Sequence, residues 1–153
     1  MEFYIRAPKD DDGYLDRMAH AIFESGLSWR MVENKWPNFR KAFSDFSIDK
    51  VAKIGDKEVK SMLENPGIVR SEGKIRATIF NAQQLQKVKA EFGSFKAYMD
   101  SFKSYPALMN DMQTRFKYFG PSNSRSFLWL VGVKLKPQPD EIAWLTKMTA
   151  KKK

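Results

Sequence analysis

The sequence predicts an all-α fold in a single domain, and three observations support this prediction. Apolar residues recur at helical spacing along nearly the whole chain. No stretch sustains the alternation of apolar and polar residues that marks a half-buried strand. Serine, glycine and proline residues interrupt the apolar pattern where helices would begin and end. The 153 residues, 42% of them apolar, suffice for one hydrophobic core.

The first two helices have clear boundaries in the sequence. Gly26 can end the first helix, because glycine readily adopts the left-handed conformation found just after a helix. Ser28 can cap a second helix that carries Trp29 and Trp36. Pro37 is expected to end that helix, since it has no backbone N–H group to donate. The apolar face of the first helix consists of Leu15, Met18, Ala19, Ile22 and Phe23.

Later helices are predicted from the same kinds of residue. Pro66-Gly67 stops a short helix, and a longer helix with regularly spaced apolar residues follows it. Ser122 or Asn123 can cap a helix after the Gly120-Pro121 turn. A last helix is expected to run through Trp144. Other helix starts are expected near Ser47, Asp56, Ser94 and Pro106.

The ends of the chain differ in composition from its centre. We expect one helical domain over residues 14–150, with a flexible segment over 1–13 and a basic tail over 151–153. No apolar run reaches the roughly 20 residues of a membrane-spanning helix, and residues 1–12 lack the apolar centre of a secretory signal. The chain has no cysteine, which excludes disulfides and thiolate metal sites. We expect a cytoplasmic monomer without membrane contact.

The charge of the chain favours a polyanionic partner. It has 27 Lys and Arg residues against 18 Asp and Glu residues, which gives a net charge of +9 and an isoelectric point near 9.7. A basic protein gains affinity for nucleic acid by releasing the counterions condensed on the phosphates. Ribosomal factors and membrane-surface proteins carry similar charge, so composition alone leaves those classes open.

Three stretches of the chain carry a resemblance to a known family. They are Asn65-Pro66-Gly67-Ile68-Val69-Arg70 with the helix over 73–82 that follows it, Glu24-Ser25-Gly26-Leu27-Ser28-Trp29, and Phe119-Gly120. From about Leu15 to about Gly132 the chain resembles the 3-methyladenine DNA glycosylase I (Tag) family. That family belongs to the helix-hairpin-helix DNA glycosylases.

The resemblance implies an all-α, helix-hairpin-helix DNA glycosylase-like domain with a defined activity. Such an enzyme flips an alkylated purine such as 3-methyladenine out of the duplex and hydrolyses its N-glycosidic bond in base excision repair. The expected partner is double-stranded DNA containing alkylated bases, and no cofactor is expected. Members that also cut the strand carry a Schiff-base lysine at a position that is Ser122 here, so the resemblance implies a monofunctional enzyme.

The hairpin of the family corresponds to Phe119-Gly120-Pro121-Ser122-Asn123-Ser124-Arg125. Glycine lets a ligand approach the backbone closely, and amide groups at the start of the following helix can hold a phosphate. Taken alone, the segment is also compatible with an ordinary loop in which a serine or asparagine caps a helix. The resulting candidates for DNA binding are Gly120, Ser122, Asn123, Ser124 and Arg125.

The expected base pocket centres on Trp29, which the resemblance assigns to the flipped base. An aromatic ring attracts a cationic alkylpurine by stacking and cation–π interaction, whereas a core tryptophan is the alternative interpretation. The family's base-binding glutamate lies eight residues before this tryptophan, where the chain has Ala21. Glu24 and His20 are candidate replacements for base binding, and Glu24 is also a candidate catalytic carboxylate. Both are equally compatible with ordinary positions on a helix.

Asp140 is a second candidate catalytic residue, on a wider superfamily pattern. Many helix-hairpin-helix glycosylases carry a catalytic aspartate about twenty residues beyond the hairpin glycine, and Asp140 lies at that distance from Gly120. A carboxylate there would stabilise the oxocarbenium-like sugar. The alternative is a helix cap after Pro139.

The sequence also bears on metal binding and on contacts to the DNA backbone. The family's zinc ligands are cysteines and histidines; with one histidine and no cysteine, this chain is expected to hold no metal. Arg70, Lys74 and Arg76 are candidate contacts to the DNA backbone, or else solvated charges. Two other functions stay open: a hairpin DNA-binding module without excision, and an RNA-associated or protein-binding helical domain.

Overall fold

A computed structural model describes residues 6–133 of the chain. Between these residues there is no strand, so the predicted all-α fold is confirmed. No helix in this range is both long enough and apolar enough to cross a bilayer. The helices are α1 (Asp11–Glu24), α2 (Trp29–Ala42), α3 (Ile48–Ala52), α4 (Asp56–Leu63), α5 (Glu72–Phe92), α6 (Phe95–Asp100), α7 (Tyr105–Arg115) and α8 (Pro121–Leu130).

Most helix ends follow from local signals in the sequence. Gly26 has φ +76°, the left-handed conformation that ends α1. Ser28, the predicted cap of α2, accepts a hydrogen bond from a backbone N–H in the first turn of that helix. Ser47 and Ser94, at two predicted helix starts, cap α3 and α6 in the same way. Asp10 caps α1 in the same way, four residues before the expected start of the domain.

Two helix boundaries differ from the prediction. Pro37 lies inside α2 and does not end it. The helix continues because Trp36 and Phe39 pack their rings 4.9 Å apart in the core, which offsets the one hydrogen bond that proline cannot donate. At α8 the cap is Gly120, and Ser122 and Asn123 lie within the helix. Pro121 takes the first helical position, which suits its fixed φ.

The core contains two groups of aromatic rings. The first aromatic cluster packs under α1 and α2 and consists of Phe23, Trp36, Phe39, Phe43 and Phe46. The second aromatic cluster packs under α6, α7 and α8 and consists of Phe95, Tyr98, Phe116, Phe119 and Phe127. The longest helix, α5, contacts α1 and α3 as well as α6. Phe23 of the first cluster is close to the end of α1, and Phe116 and Phe119 of the second cluster lie between α7 and α8.

A left-handed turn follows α2. Ser44, Asp45 and Phe46 have φ values of +53°, +55° and +56°. This conformation is unfavourable for L-residues, by roughly 1–2 kcal/mol each in a left-handed helix. The ring of Phe46 stacks 5.2 Å from Phe43 and 5.3 Å from Trp36 in the first aromatic cluster. Burial of that ring offsets the backbone strain.

Candidate active site and DNA interface

The loop between α1 and α2 carries Trp29 at its end. Gly26 turns the chain, and the side chain of Ser28 caps α2. Trp29 is half-buried in the first turn of α2, while Leu27 next to it is 40% exposed. The tryptophan that fills the core of this region is Trp36. Trp29 therefore lies at the boundary between core and solvent.

Three polar side chains form a cluster between α1 and α2, which we call the carboxylate cluster: His20, Glu24 and Glu33. His20 is fully buried, and its Nε2 lies 3.0 Å from Glu33 Oε2. Its Nδ1 lies 3.6 Å from Glu24 Oε2. The side chains of Glu24 and Glu33 are 18% and 8% exposed. Glu33 is one helical turn beyond Trp29, so the two residues share a face of α2.

Burial sets the protonation of this cluster. It lowers the pKa of His20, although the hydrogen bond and charge of Glu33 act in the opposite direction. The hydrogen-bond network assigns the proton of the neutral ring to Nε2, which donates to Glu33 and leaves Nδ1 as an acceptor facing Glu24. Burial, with a smaller effect from the charge of Glu33, raises the pKa of Glu24 to about 7.

Within the carboxylate cluster, Glu24 has a carboxyl oxygen that makes no hydrogen bond to the described residues. This oxygen, Oε2, is buried. Glu24 is also the last residue of α1, directly before the loop that leads to Trp29. A buried acceptor without a partner is unfavourable by roughly 1–3 kcal/mol, and such groups in native proteins call for an explanation.

A charged network supports the cluster from the side of α2. Asp16 accepts hydrogen bonds from Trp36 Nε1 at 3.3 Å, from Arg40 Nε at 3.2 Å and from Arg17 at 3.1 Å. The ring of Trp36 meets that of His20 edge-on, with centroids 4.7 Å apart. These contacts fix the His20 ring in position. Ala21, at the place of the family's glutamate, is only 3% exposed and contributes a methyl group to the core.

The second loop, residues 116–120, joins α7 to α8. Phe116 and Phe119 are buried in the second aromatic cluster, whereas Tyr118 between them is 44% exposed with φ +66°. Gly120 has φ −67°, and a Cβ added to it would meet no atom of residues 6–133 within 4 Å. The glycine is therefore not required by backbone geometry, and no described residue covers the surface above it.

Two of the five residues expected to contact DNA at this loop make hydrogen bonds to its backbone. Asn123 Nδ2 donates to the carbonyl oxygen of Tyr118 at 2.8 Å. Ser124 is fully buried, and its hydroxyl donates to the carbonyl oxygen of Phe119 at 2.8 Å. Ser122 is exposed at the start of α8 and Arg125 is half-buried.

The three candidate cations within residues 65–82 have different surroundings. Lys74 Nζ donates to the carbonyl oxygens of Ser25 at 2.6 Å and Phe23 at 3.4 Å, so its charge lies against the end of α1. Arg76 bonds to Glu72 and Asp56 at 2.8 and 2.9 Å. Arg70 is exposed. Asp140, the second catalytic candidate, lies outside the described residues.

The structure also identifies two polar residues that the sequence interpretation missed. Glu33 falls on the apolar face of α2 between Val32 and Trp36, and a charged residue on such a face is a signal that was available. Asn81 is fully buried in α5, again among apolar residues. Its side chain hydrogen-bonds both the carbonyl oxygen and the N–H of Lys117, at 3.0 and 2.8 Å.

The donor set does not fit the zinc site of the family. His20, the only histidine of the chain, is buried between two carboxylates, and there is no cysteine. Within residues 6–133, no three His, Asp or Glu side chains are grouped so as to hold a metal ion.

Comparison with known proteins identifies the family. A family model described as methyladenine glycosylase matches residues 5–127. The chain belongs to the methyladenine glycosylase family. It is 28% identical over 89 residues to DNA-3-methyladenine glycosylase of Haemophilus influenzae, a match that covers 58% of this chain and 48% of that protein. It is 33% identical over 82 residues to DNA-3-methyladenine glycosylase 1 of Escherichia coli, covering 54% and 44%.

The matches to these curated relatives span about half of their length. Solved structures extend the likeness in fold. A structure of 3-methyladenine DNA glycosylase I from Staphylococcus aureus superposes with a TM-score of 0.77 at 24% identity, covering 92% of this chain and 87% of the other. A solution structure of 3-methyladenine DNA glycosylase I gives a TM-score of 0.72 at 24% identity, covering 86% and 81%. The expected glycosylase-like fold is thereby confirmed.

Proposed function

We propose that this methyladenine glycosylase family member is a monofunctional DNA glycosylase that removes alkylated purines such as 3-methyladenine from double-stranded DNA. Family membership supports the reaction class. The observation that carries the proposal is at the loop between α1 and α2. There a half-buried tryptophan, Trp29, and a buried carboxyl oxygen, Glu24 Oε2, flank the same four residues, and this oxygen has no hydrogen-bond partner among residues 6–133.

A cationic base suits this pair of side chains. The ring of Trp29 offers stacking and cation–π attraction, of order 1–3 kcal/mol for a stacked base. The Glu24 carboxylate can accept a hydrogen bond from an exocyclic amine and oppose the charge of the base. A bound cation favours the ionised carboxyl, so binding lowers the pKa of Glu24 from its value of about 7 and releases a proton. A neutral purine gains neither effect.

The reaction that follows is hydrolysis. As the N-glycosidic bond breaks, its electron pair neutralises the cationic base, which leaves as a free purine. Water adds to the sugar carbon C1′ and loses a proton, and an abasic site remains. Glu24 can stabilise the positive sugar during this step. Asp140 stays a predicted alternative for that role. Ser122 has no amine, so no Schiff base can form at its position.

The loop over 116–120 would hold the DNA backbone in this proposal. Its open surface at Gly120 and the exposed Ser122 at the start of α8 suit a phosphate group. Arg70 and Arg125 are the cations we assign to neighbouring phosphates. Lys74 and Arg76 are omitted from this interface because both make intramolecular hydrogen bonds.

One observation favours a second function, a DNA-binding module without excision. Ala21 occupies the position of the family's base-binding glutamate, and its methyl group is buried. If the carboxylate cluster does not replace that glutamate, the hairpin can still bind duplex DNA without chemistry.

Single-turnover assays separate the two functions. The protein in excess is incubated with methylated duplex DNA, and released 3-methyladenine and 7-methylguanine are measured. We expect release from the wild-type protein, a loss of at least about tenfold in Trp29→Ala, from one lost stacking interaction, and no loss in Tyr105→Ala, an exposed aromatic on α7. Absence of release, with duplex binding intact, would refute the glycosylase and leave the binding module.

A further inference from the structure

One face of α5 reaches both functional loops. Lys74, in the first turn of the helix, bonds to the loop between α1 and α2 through the carbonyl oxygen of Ser25. Asn81 bonds to the loop between α7 and α8 through the backbone of Lys117. Thr78 lies between them in the helix and is buried, with its hydroxyl on the carbonyl oxygen of Lys74.

The spacing along α5 places these contacts at a fixed separation. Lys74 and Asn81 are seven residues apart, which is close to two helical turns. Their side chains therefore leave the same face of the helix, about 10 Å apart along its axis. A continuous 21-residue helix is rigid over that distance, so the two loops cannot shift independently while both contacts hold.

The contact at Asn81 begins a series that binds the carbonyl groups of the second loop. Asn81 binds the carbonyl oxygen of Lys117, Asn123 that of Tyr118, and the Ser124 hydroxyl that of Phe119. The carbonyl oxygen of Gly120 accepts the N–H of Ser124 in the first helical bond of α8. Four successive carbonyl groups thus point toward protein donors.

The contact at Lys74 stabilises the end of α1. The ammonium group bonds to carbonyl oxygens of the last helical turn and of the residue after it, Phe23 and Ser25. A cation at this end of a helix is favourable, because the last carbonyl groups have no helical partner. Ser25 leads directly into the loop that ends at Trp29. Lys74 therefore holds the start of the segment that carries the proposed base-binding ring.

We propose that Lys74 and Asn81 are positioning residues on one face of α5: Lys74 positions the base-binding loop, and Asn81 positions the phosphate-binding hairpin. This inference rests on the proposed function for the identity of both loops. A buried amide side chain is unfavourable unless its hydrogen bonds are made. Asn81 makes both of these bonds to the backbone of Lys117 in the hairpin. The contacts themselves are a property of the fold.

The first test replaces Asn81. In Asn81→Ala the hairpin loses its link to α5, and we expect duplex affinity to fall about tenfold, from the loss of two buried hydrogen bonds. The excision rate with all DNA bound should change less than about twofold, since the base-binding loop is untouched. Gln86→Ala is the matched control, because it removes an α5 side-chain hydrogen bond to Asp49 in α3.

The second test replaces Lys74. In Lys74→Met we expect the reverse split: an excision rate about tenfold lower with all DNA bound, and duplex affinity within about twofold of the wild type. Lys74→Arg should restore most of the rate, since it keeps the charge and the donors. Lys87→Met removes one positive charge from an exposed part of α5 and controls for the change in net charge.

The inference depends on whether each variant changes duplex affinity and excision rate to different extents. If each variant lowers affinity and rate in equal proportion, or if Lys74→Met weakens binding and reduces its salt dependence as loss of a phosphate contact would, the positioning roles are overturned. Amide hydrogen exchange tests the positioning roles independently of the proposed function, because it needs no excision activity. Even if the wild type excises nothing, Asn81→Ala should speed exchange at Lys117 and not at residues 25–29, and Lys74→Met should do the opposite. Uniform exchange changes in both variants would also overturn the inference.

Discussion

The loop between α1 and α2 and the loop between α7 and α8 are stabilised in opposite ways. The first is flanked by ionisable groups: His20 and Glu24 lie beside it, and Lys74 binds its backbone by charge. The second is held by neutral amide and hydroxyl donors, notably Asn81 and Ser124, over a layer of aromatic rings. The first can therefore respond to the charge of a ligand, whereas the second presents fixed backbone dipoles.

This difference separates specificity from affinity. A cationic base can be distinguished from a neutral one where a carboxyl group titrates near neutral pH. A phosphate is the same at every nucleotide, so a fixed, uncharged cradle suffices to bind it. The helix that joins the two loops, α5, contacts both through one face. The two loops should therefore differ in how stability and DNA binding respond to mutation, pH and salt.

The largest expected effect concerns the two aromatic clusters. Phe39→Ala in the first cluster and Phe127→Ala in the second should each lower the free energy of unfolding by about 3–5 kcal/mol, because both rings are fully buried. Thermal unfolding of each variant should remain a single transition, since both clusters belong to one core. Leu27→Ala, at an exposed site, should change stability little. Two separate transitions would contradict a common core.

The carboxylate cluster should make stability depend on pH. The folded pKa of Glu24, about 7, exceeds its ordinary value of 4.5, so the folded state binds this proton more tightly than the unfolded state. The stabilisation is complete below about pH 4.5 and is lost as the pH rises through 7. We expect the Glu24 contribution to the free energy of unfolding to fall by up to roughly 3 kcal/mol over that interval. His20, whose pKa burial lowers, acts in the opposite direction below its ordinary pKa of 6.5. Chemical denaturation at several pH values measures it.

A matched variant assigns this slope. Glu24→Gln should remove the fall in stability with rising pH and leave the opposite contribution of His20, while Glu64→Gln, at an exposed site at the end of α4, should retain the fall. Retention of the full slope in Glu24→Gln would show that another group titrates.

The hairpin should tolerate a side chain at Gly120 without unfolding. Its φ is ordinary and no atom of the described residues lies within 4 Å of the added Cβ, so both Gly120→Ala and Gly120→Asp should fold. Gly120→Asp should weaken duplex binding about tenfold, since a carboxylate faces the phosphate, and Gly120→Ala should weaken it less. Fluorescence titration at moderate salt measures both. Equal affinity of Gly120→Asp and the wild type would remove the hairpin from the DNA interface.

The smallest expected effect distinguishes two arginines. Arg70→Gln should weaken duplex binding a few-fold and lower the slope of log affinity against log salt by about one. Arg76→Gln should leave that slope unchanged, because its guanidinium is already bonded to Glu72 and Asp56. Binding isotherms at four salt concentrations measure both slopes. A reduced slope in Arg76→Gln alone would reverse the assignment.

The sequence predicted the features that depend on neighbouring residues. Gly26 ends α1 by its left-handed backbone conformation, and Ser28 caps α2 by a hydrogen bond to a residue three positions later, so both effects are local. The prediction that Pro37 ends α2 was wrong. The burial of Trp36 and Phe39 on either side of Pro37 outweighs the hydrogen bond that the proline cannot donate. The family was likewise identified from short matched stretches of sequence.

The sequence by itself thus determined the helical class, the family and most helix ends, all of which depend on short-range patterns. The tertiary structure decided which polar groups meet. His20 and Glu33 are 13 residues apart, Asn81 and Lys117 are 36 apart, and Lys74 and Ser25 are 49 apart. Nothing in local propensity encodes these pairs, because each depends on how α5 and its neighbours pack. The pKa of Glu24 depends on the same packing, since burial is its main cause.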